Sequence, residues 1–240
     1  MTDPRSPIDP GARGARKKLV ALSCSARPDG NSRVVAQAVV DGAIEAGHDA
    51  ELIHLPDHIT QLFRDCKTCR DDEGNCTIDD GYKDVLWNKF LPADGIVWAT
   101  PIYWYGVSSQ MKNFLDRFFC YYSDEGDSFG TGSFVEGVLD KKAGLVLSAE
   151  ENSIAARMPA IQEMIMLCDY LHHDFVGIVQ TTANSRSDVK NDPNAPLTNG
   201  FEFGRSFFER HETNYRADIV REKVIWQGEK SGYKRPFFWG

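Results

Sequence analysis

Long apolar runs are absent from this 240-residue sequence, so nothing in it predicts a bilayer-spanning helix. A cationic surplus is also absent. Twenty-seven Lys and Arg face 35 Asp and Glu, for a net charge of −8. That balance argues against a nucleic-acid binder, which needs cations to neutralise phosphates, and against a polybasic membrane anchor. The opening segment, MTDPRSPIDPGARGARKK, has no apolar stretch of the kind that marks a secretory signal. Residues 1–17 are therefore expected to be a disordered leader, and the chain to be cytoplasmic. Cysteine is sparse. Of six, three cluster within eleven residues (Cys66, Cys69 and Cys76) and three fall in regular elements (Cys24, Cys120 and Cys168), which is not the disulfide framework of a small secreted domain.

What is present is an alternation of short apolar runs with amphipathic stretches. Lys18–Cys24 predicts a buried first strand, followed by a turn-rich loop and a helix capped by Asn31 or Ser32, with Val35, Val39, Ala43 and Ala46 on one face and Gly47 ending it. Ala50–Leu55 predicts strand two, Gly95–Ala99 strand three, Ala143–Leu147 strand four and Phe175–Gln180 strand five. A helix is expected over Gly81–Leu91. Another carries Met111, Phe114, Leu115, Phe118, Phe119 and Tyr122 on one face, and a third carries Ile154, Met158, Ile161, Ile165 and Cys168. Pro56–Asp80 is expected to be irregular, and Asp124–Gly137, with four glycines, a flexible loop. Strand–helix alternation implies right-handed crossovers and a doubly wound parallel sheet with helices on both faces. Five strands suit the flavodoxin-like order 2-1-3-4-5, which places ligands at the carboxyl ends of the strands. The domain is expected over residues 18–181. Residues 182–240 form an extension, with one helix near Gly204–His211, that packs on the domain or on a partner subunit.

Two loops carry candidate chemistry. Ser23-Cys24-Ser25-Ala26-Arg27-Pro28-Asp29-Gly30-Asn31-Ser32 joins strand one to helix one, where unpaired helix N–H groups and the helix dipole favour an anion. It lacks G-x-G-x-x-G and G-K-[ST], so it is neither a dinucleotide fingerprint nor a P-loop. It is a phosphate cradle or an ordinary capped turn. The second, Thr100-Pro101-Ile102-Tyr103-Trp104-Tyr105-Gly106-Val107-Ser108-Ser109, places three adjacent aromatics directly after strand three. They cover a flat conjugated ring, plug the end of the core, or make a dimer contact.

Taken with Gln110-Met111-Lys112-Asn113-Phe114-Leu115-Asp116-Arg117, these motifs make the chain resemble the NAD(P)H-dependent FMN reductases of the flavodoxin-like class. The resemblance implies a noncovalent FMN and NAD(P)H as co-substrate. It places Ser23, Ser25, Arg27, Asn31 and Ser32 at the FMN phosphate, and Pro101, Ile102, Tyr103, Trp104, Tyr105 and Gly106 around the isoalloxazine. A third loop, Ser148, Ala149 and Glu150 followed by Glu151 and Asn152, touches the flavin as well. Two glutamates replace the glycines frequent there, and they would repel an anionic reduced flavin. The implied activity is transfer from NAD(P)H through FMN to a small-molecule substrate: a quinone, flavin, nitroaromatic or biosynthetic intermediate. The competing reading is an electron carrier, flavodoxin-like or of the iron–sulfur flavoprotein kind, with no substrate of its own. A homodimer or higher homo-oligomer is expected, from the aromatic loop and from the apolar tail that ends in Phe237, Phe238 and Trp239.

The Cys66, Cys69 and Cys76 run has ligand spacing and resembles the compact motif of iron–sulfur flavoproteins, but Asp72 stands where a further cysteine is wanted. Three thiolates do not close a Cys₄ site, so no metal is expected. The run is then a structural loop or a redox or catalytic thiol site, with an iron–sulfur cluster or zinc as the lesser alternatives. His172 and His173 are expected to compensate a helix dipole, Arg157 to be a solvated surface residue, with reach to a phosphate as the alternative, and Cys120 and Cys168 to be small core residues.

Overall fold

The computed structural model describes residues 15–64, 70–72, 76–121, 131–186 and 188–211. Residues 1–14 of the expected leader, Cys66, Cys69, Tyr122 and the tail with Phe237, Phe238 and Trp239 lie outside the described residues. Five parallel strands make one sheet: β1 (Lys18–Ser23), β2 (Asp49–His54), β3 (Gly95–Pro101), β4 (Lys142–Ala149) and β5 (Asp174–Thr182), in the order β2-β1-β3-β4-β5. The flavodoxin-like topology predicted from the strand–helix alternation is what the chain forms. The central strands are near-continuous apolar runs because both faces are covered. Leu19 and Ala21 of β1 point to one face, and Val20 and Leu22 to the other.

The helices divide between those faces. One carries α1 (Asn31–Glu45) and α6 (Pro196–Arg205), which pack on each other. Their approach is so close that a Cβ on Gly204 would lie 1.8 Å from the Val39 carbonyl oxygen, so only glycine fits. Gly47 ends α1 in the left-handed conformation (φ 91°), as expected. The other face carries α2 (Tyr82–Asp84), which widens into a π-helical turn over Val85–Phe90, together with α3 (Ser109–Asp116), α4 (Thr131–Val138) and α5 (Ile154–Tyr170). Phe90, Trp98, Phe114, Phe118, Tyr121 and Phe134 meet there tilted, edge to face or stacked, with ring centroids 5.2–5.9 Å apart.

Several local expectations are corrected. Gly30, not Asn31 or Ser32, is the N-cap of α1, and it contributes no side chain to the cap. The helix expected through Tyr122 stops at Asp116 and tightens to a 3₁₀ turn over Arg117–Cys120. At three residues per turn, positions 114, 117 and 120 share a face. Phe114, Arg117 and Cys120 are accordingly buried, and Phe119 is turned out. Part of the expected glycine-rich loop is helix α4, because burial of Phe134 and Val138 outweighs the low helix propensity of its glycines. The last helix lies at Pro196–Arg205 rather than at Gly204–His211, with a 3₁₀ turn over Phe207–Glu209. Cys120 and Cys168 are buried core residues, as expected. His173 does not serve the helix dipole at the surface: it is fully buried, and its Nε2 donates to the Val138 carbonyl at 2.7 Å.

Lys141 is a buried cation between α4 and β4. Its Nζ donates to the carbonyls of Leu91 (2.8 Å) and Ala93 (2.6 Å), satisfying the end of the π-helical turn. Burial pushes its ammonium down from 10.5 to about 8. Below about pH 8 it is charged in both the folded and the unfolded chain. Between about 8 and 10.5 the unfolded chain binds more protons, so this residue's contribution to stability rises with pH. The difference in unfolding free energy between wild type and Lys141→Met, read by urea titration, is expected to move in favour of wild type by up to about 3 kcal/mol between pH 7.5 and 10.5. A difference that stays flat over that range contradicts it.

Candidate functional site

The carboxyl ends of β1, β3 and β4 bring three loops together. The first, after β1, folds back on itself. Ser25 Oγ accepts the Arg27 N–H (3.1 Å), and the Gly30 N–H donates to the Arg27 carbonyl (3.1 Å). A Cβ on Gly30 would lie 2.2 Å from Ser25 Oγ, so the cradle closes only around glycine. The turn delivers the N-terminus of α1, whose first turn holds no acidic residue. Ser32 Oγ is buried there without a hydrogen-bond partner. A buried hydroxyl left unpaired costs free energy, about 1–3 kcal/mol. Beside free helix N–H groups it is the donor that an anion would engage. Arg27 is half-buried in this loop.

Two residues of the predicted phosphate set are otherwise engaged. Ser23 lies beneath the loop, fully buried, with its hydroxyl 3.1 Å from His54 Nδ1. Burial holds the His54 imidazole below its ordinary value, which favours the neutral ring. The Asn31 amide donates to the Ser185 carbonyl (2.8 Å) and accepts the Val189 N–H (3.4 Å). It pins the segment after β5 across the loop, and Arg186 reaches Asp29 at 3.3 Å from that segment.

The second loop is a two-residue hairpin. Tyr103 and Gly106 exchange backbone hydrogen bonds at 3.1 Å in both directions, with Trp104 (φ 50°) and Tyr105 (φ 67°) at the centre. Asn and Gly normally occupy such positions, and bulky aromatics there are strained. Tyr103, Trp104 and Tyr105 are 40%, 96% and 53% exposed. They do not plug the core. Gly106 stands open, with only the Tyr103 carbonyl near its Cβ position. Thr100 and Ser108 clamp the base of the loop. The Ser108 N–H donates to Thr100 Oγ1 (3.0 Å), while Ser108 Oγ caps α3 and donates to the Cys24 carbonyl (2.6 Å). One serine thus fixes the first loop against the second.

The third loop follows β4. Pro101 pairs with Ser148, and the Ile102 N–H donates to the Ser148 carbonyl at 2.8 Å. The Ala149 carbonyl accepts from Ala183 N–H (2.9 Å), and Glu150 and Glu151 are exposed. Together with Ile102, Tyr103, Trp104 and Tyr105, these glutamates line a cavity of about 440 Å³. Arg157, expected at the surface, is instead buried. It reaches Gln180 Oε1 (2.9 Å), Thr182 Oγ1 (2.7 Å) and the Glu151 carbonyl (3.1 Å), and so holds this loop in place. Ser108 carried a sequence signal, a serine directly before a helix. Nothing in the sequence marked the burial of Arg157 or the Asn31–Ser185 tie, because each depends on elements distant in the chain.

A family model described as NADPH-dependent FMN reductase matches residues 17–180. A Bacillus subtilis protein named as an NAD(P)H-dependent FMN-containing oxidoreductase is 26% identical over 178 residues, 74% of this chain and 92% of that protein. An iron–sulfur flavoprotein of Methanocaldococcus jannaschii is 35% identical over 100 residues, 42% of this chain and 51% of that protein. The chain thus spans about half the length of the iron–sulfur flavoproteins that it matches. Among solved structures, an NAD(P)H:quinone oxidoreductase from Methanothermobacter marburgensis superposes with a TM-score of 0.59 at 19% identity, over 82% of this chain and all of that one.

Of the cysteine run, Cys76 alone lies among the described residues. The Cys76 sulfur is turned into the core and already accepts from Cys120, the Ile78 N–H and Arg117. Among the described residues no group of three or more His, Cys, Asp or Glu could hold a metal ion.

Each left-handed non-glycine residue of the hairpin costs on the order of 1–3 kcal/mol. Replacing Trp104–Tyr105 by Asn–Gly is expected to stabilise the unliganded protein by about 2 kcal/mol, roughly 5 °C in Tm by calorimetry. A lower Tm would show that the aromatics stabilise the loop instead.

Proposed function

The chain belongs to the NADPH-dependent FMN reductase family, and on that premise we propose that it is an oxidoreductase that takes electrons from a reduced nicotinamide and passes them to a small acceptor. It is an FMN-dependent flavoprotein, with NAD(P)H as electron donor. When bound, FMN supplies the two-electron chemistry between donor and acceptor. The observation that carries the assignment of the site is the unpaired Ser32 hydroxyl at the start of α1, one loop away from the strained aromatic hairpin. A phosphate and a flat ring, joined by a short chain, match those two features at once.

In this reading Ser25, Arg27, Ser32 and the first-turn N–H groups hold the phosphate, with Ser23 and Asn31 as supports behind them. Pro101, Ile102, Tyr103, Trp104, Tyr105 and Gly106 position the ring, and Ser148, Ala149 and Glu150 bound its far edge. Glu150 and Glu151 place negative charge beside the ring and disfavour accumulation of an anionic reduced form. The open 440 Å³ cavity admits a planar acceptor, such as a quinone, a flavin or a nitroaromatic, against the exposed aromatics. No helix among the described residues is long and apolar enough to cross a membrane. The exposure of Trp104, Tyr105 and Phe119 favours a homodimer, with the site near the interface. Sedimentation at micromolar protein is expected to give a dimer, and a monomer rejects that arrangement.

Anaerobic mixing with NADPH or NADH is expected to bleach the 450 nm region of the FMN-loaded protein without any second enzyme, on the order of seconds or faster given ordinary turnover rates. Bleaching only after addition of a separate reductase would make the protein an electron carrier. Ser25→Asp is expected to weaken FMN binding at least roughly a hundredfold, because two anions a few ångströms apart in a partly buried site repel by several kcal/mol. Tyr105→Phe, which removes only a hydroxyl, should change it less than about threefold. Equal affinities by fluorescence titration would move the phosphate to another loop.

A further inference from the structure

Behind α3, on the face of the sheet opposite α1, a second constellation plays no part in holding FMN. Cys76 and Cys120 are both buried, 1% and 2% exposed. The Cys76 sulfur accepts from the Cys120 thiol, from the Ile78 N–H and, at 3.7 Å, from Arg117 Nη2. Arg117 is completely buried, paired at 2.7 Å with an equally buried Asp80, and its guanidinium lies 4.0 Å over the Tyr82 ring. Asp80 is fixed in turn by the N–H groups of Thr60, Gln61 and Tyr82. A structural cysteine needs none of this. Three donors, one of them a cation, converge on one sulfur, and the second sulfur is already in contact with it.

We propose that Cys76 and Cys120 are a redox pair that hydrogen peroxide oxidises to a buried disulfide. The burial of both sulfurs selects a water-sized oxidant over a bulky disulfide. The Cys76 thiolate attacks one peroxide oxygen, forming the S–O bond of a sulfenic acid as the O–O bond breaks. The departing hydroxide takes the proton of the Cys120 thiol and leaves as water. The Cys120 thiolate then attacks the Cys76 sulfur and expels hydroxide, completing a two-electron oxidation of the pair by one peroxide.

Among the described residues, the groups facing Cys76 are Cys120, Arg117, Arg70, whose backbone bridges to it, and, beyond them, Asp80, Tyr82 and Tyr121. The Cys120 hydrogen bond and then the Ile78 and Arg117 contacts hold its thiol at about 5, against an ordinary 9. Cys76 is therefore already a thiolate at neutral pH, and its oxidation rate should change little between pH 6 and 8. An ordinary thiol would speed up on the order of a hundredfold over that range. The proposal stands apart from the flavin reading, since added peroxide is the probe and FMN content is measured on the same sample by absorbance.

The FMN-loaded full chain is treated with peroxide, and its peptides are mapped by mass spectrometry without reduction. A Cys76–Cys120 linkage is expected, together with the flat pH profile. Cys120→Ser should stop at a sulfenic acid on Cys76 that dimedone captures, and Cys76→Ser should leave Cys120 unoxidised. A linkage of Cys76 to Cys66 or Cys69, a Cys76 that is still alkylated as a free thiol after peroxide, or a rate that climbs with pH would each overturn the proposal. So would about four irons and four sulfides per chain after anaerobic purification, which would make Cys76 a cluster ligand.

Discussion

The hydrogen bond from the Ser108 hydroxyl to the Cys24 carbonyl is the constraint around which the site is built. It joins the loop after β1 to the loop after β3, and the same oxygen caps α3. Parallel register alone brings the ends of those strands level but leaves the loops beyond them free. With Thr100 Oγ1 receiving the Ser108 N–H, the two loops become one rigid rim, fully buried at its base. A neutral hydrogen bond contributes about 1 kcal/mol net in an average setting. Here its structural effect is larger than that figure, because it fixes the loop after β1 against the aromatic loop after β3.

A second constraint lies behind the rim. Arg117 and Asp80 form an ion pair with no solvent contact on either side chain. Such pairs seldom stabilise more than an apolar pair of equal volume would, since both charges lose their hydration. Breaking one, however, strands a charge, so the arrangement it specifies is unique. It fixes the segment around Cys76 against the 3₁₀ turn after α3, which brings Cys76 and Cys120 together. The buried Tyr82 and Phe114 rings close the same corner.

The loop rim and the cysteine pair are thus built on opposite ends of one helix segment. Ser108 at its start ties the loops after β1 and β3 together, and Arg117 and Cys120 at its end meet Cys76. The strained turn at Trp104 and Tyr105 persists because the Thr100–Ser108 clamp and the Ile102–Ser148 bond hold both sides of the hairpin. Strain held this way is energy that a ligand can relieve or exploit.

The amino-acid sequence by itself determined the strands, their order and the two loops at the carboxyl ends. Apolar runs such as Lys18–Ser23, and turn residues such as Pro28-Asp29-Gly30, act locally and need no distant partner. It also places three cysteines within eleven residues, with Asp72 among them. Tertiary structure decided the rest. Tightening to three residues per turn put Arg117 and Cys120 inside and Phe119 outside, against an α-helical reading of the same residues. Packing of Phe134 on Tyr121 made a helix of a glycine-rich stretch. Arg157 went inside because acceptors on β5 and the loop after β4 converge on it. Asn31 turned from a ligand donor into a tie because residues more than 150 positions away came to lie beside it. Local chemistry is legible along a chain, whereas the burial of a charge depends on which distant groups arrive to satisfy it.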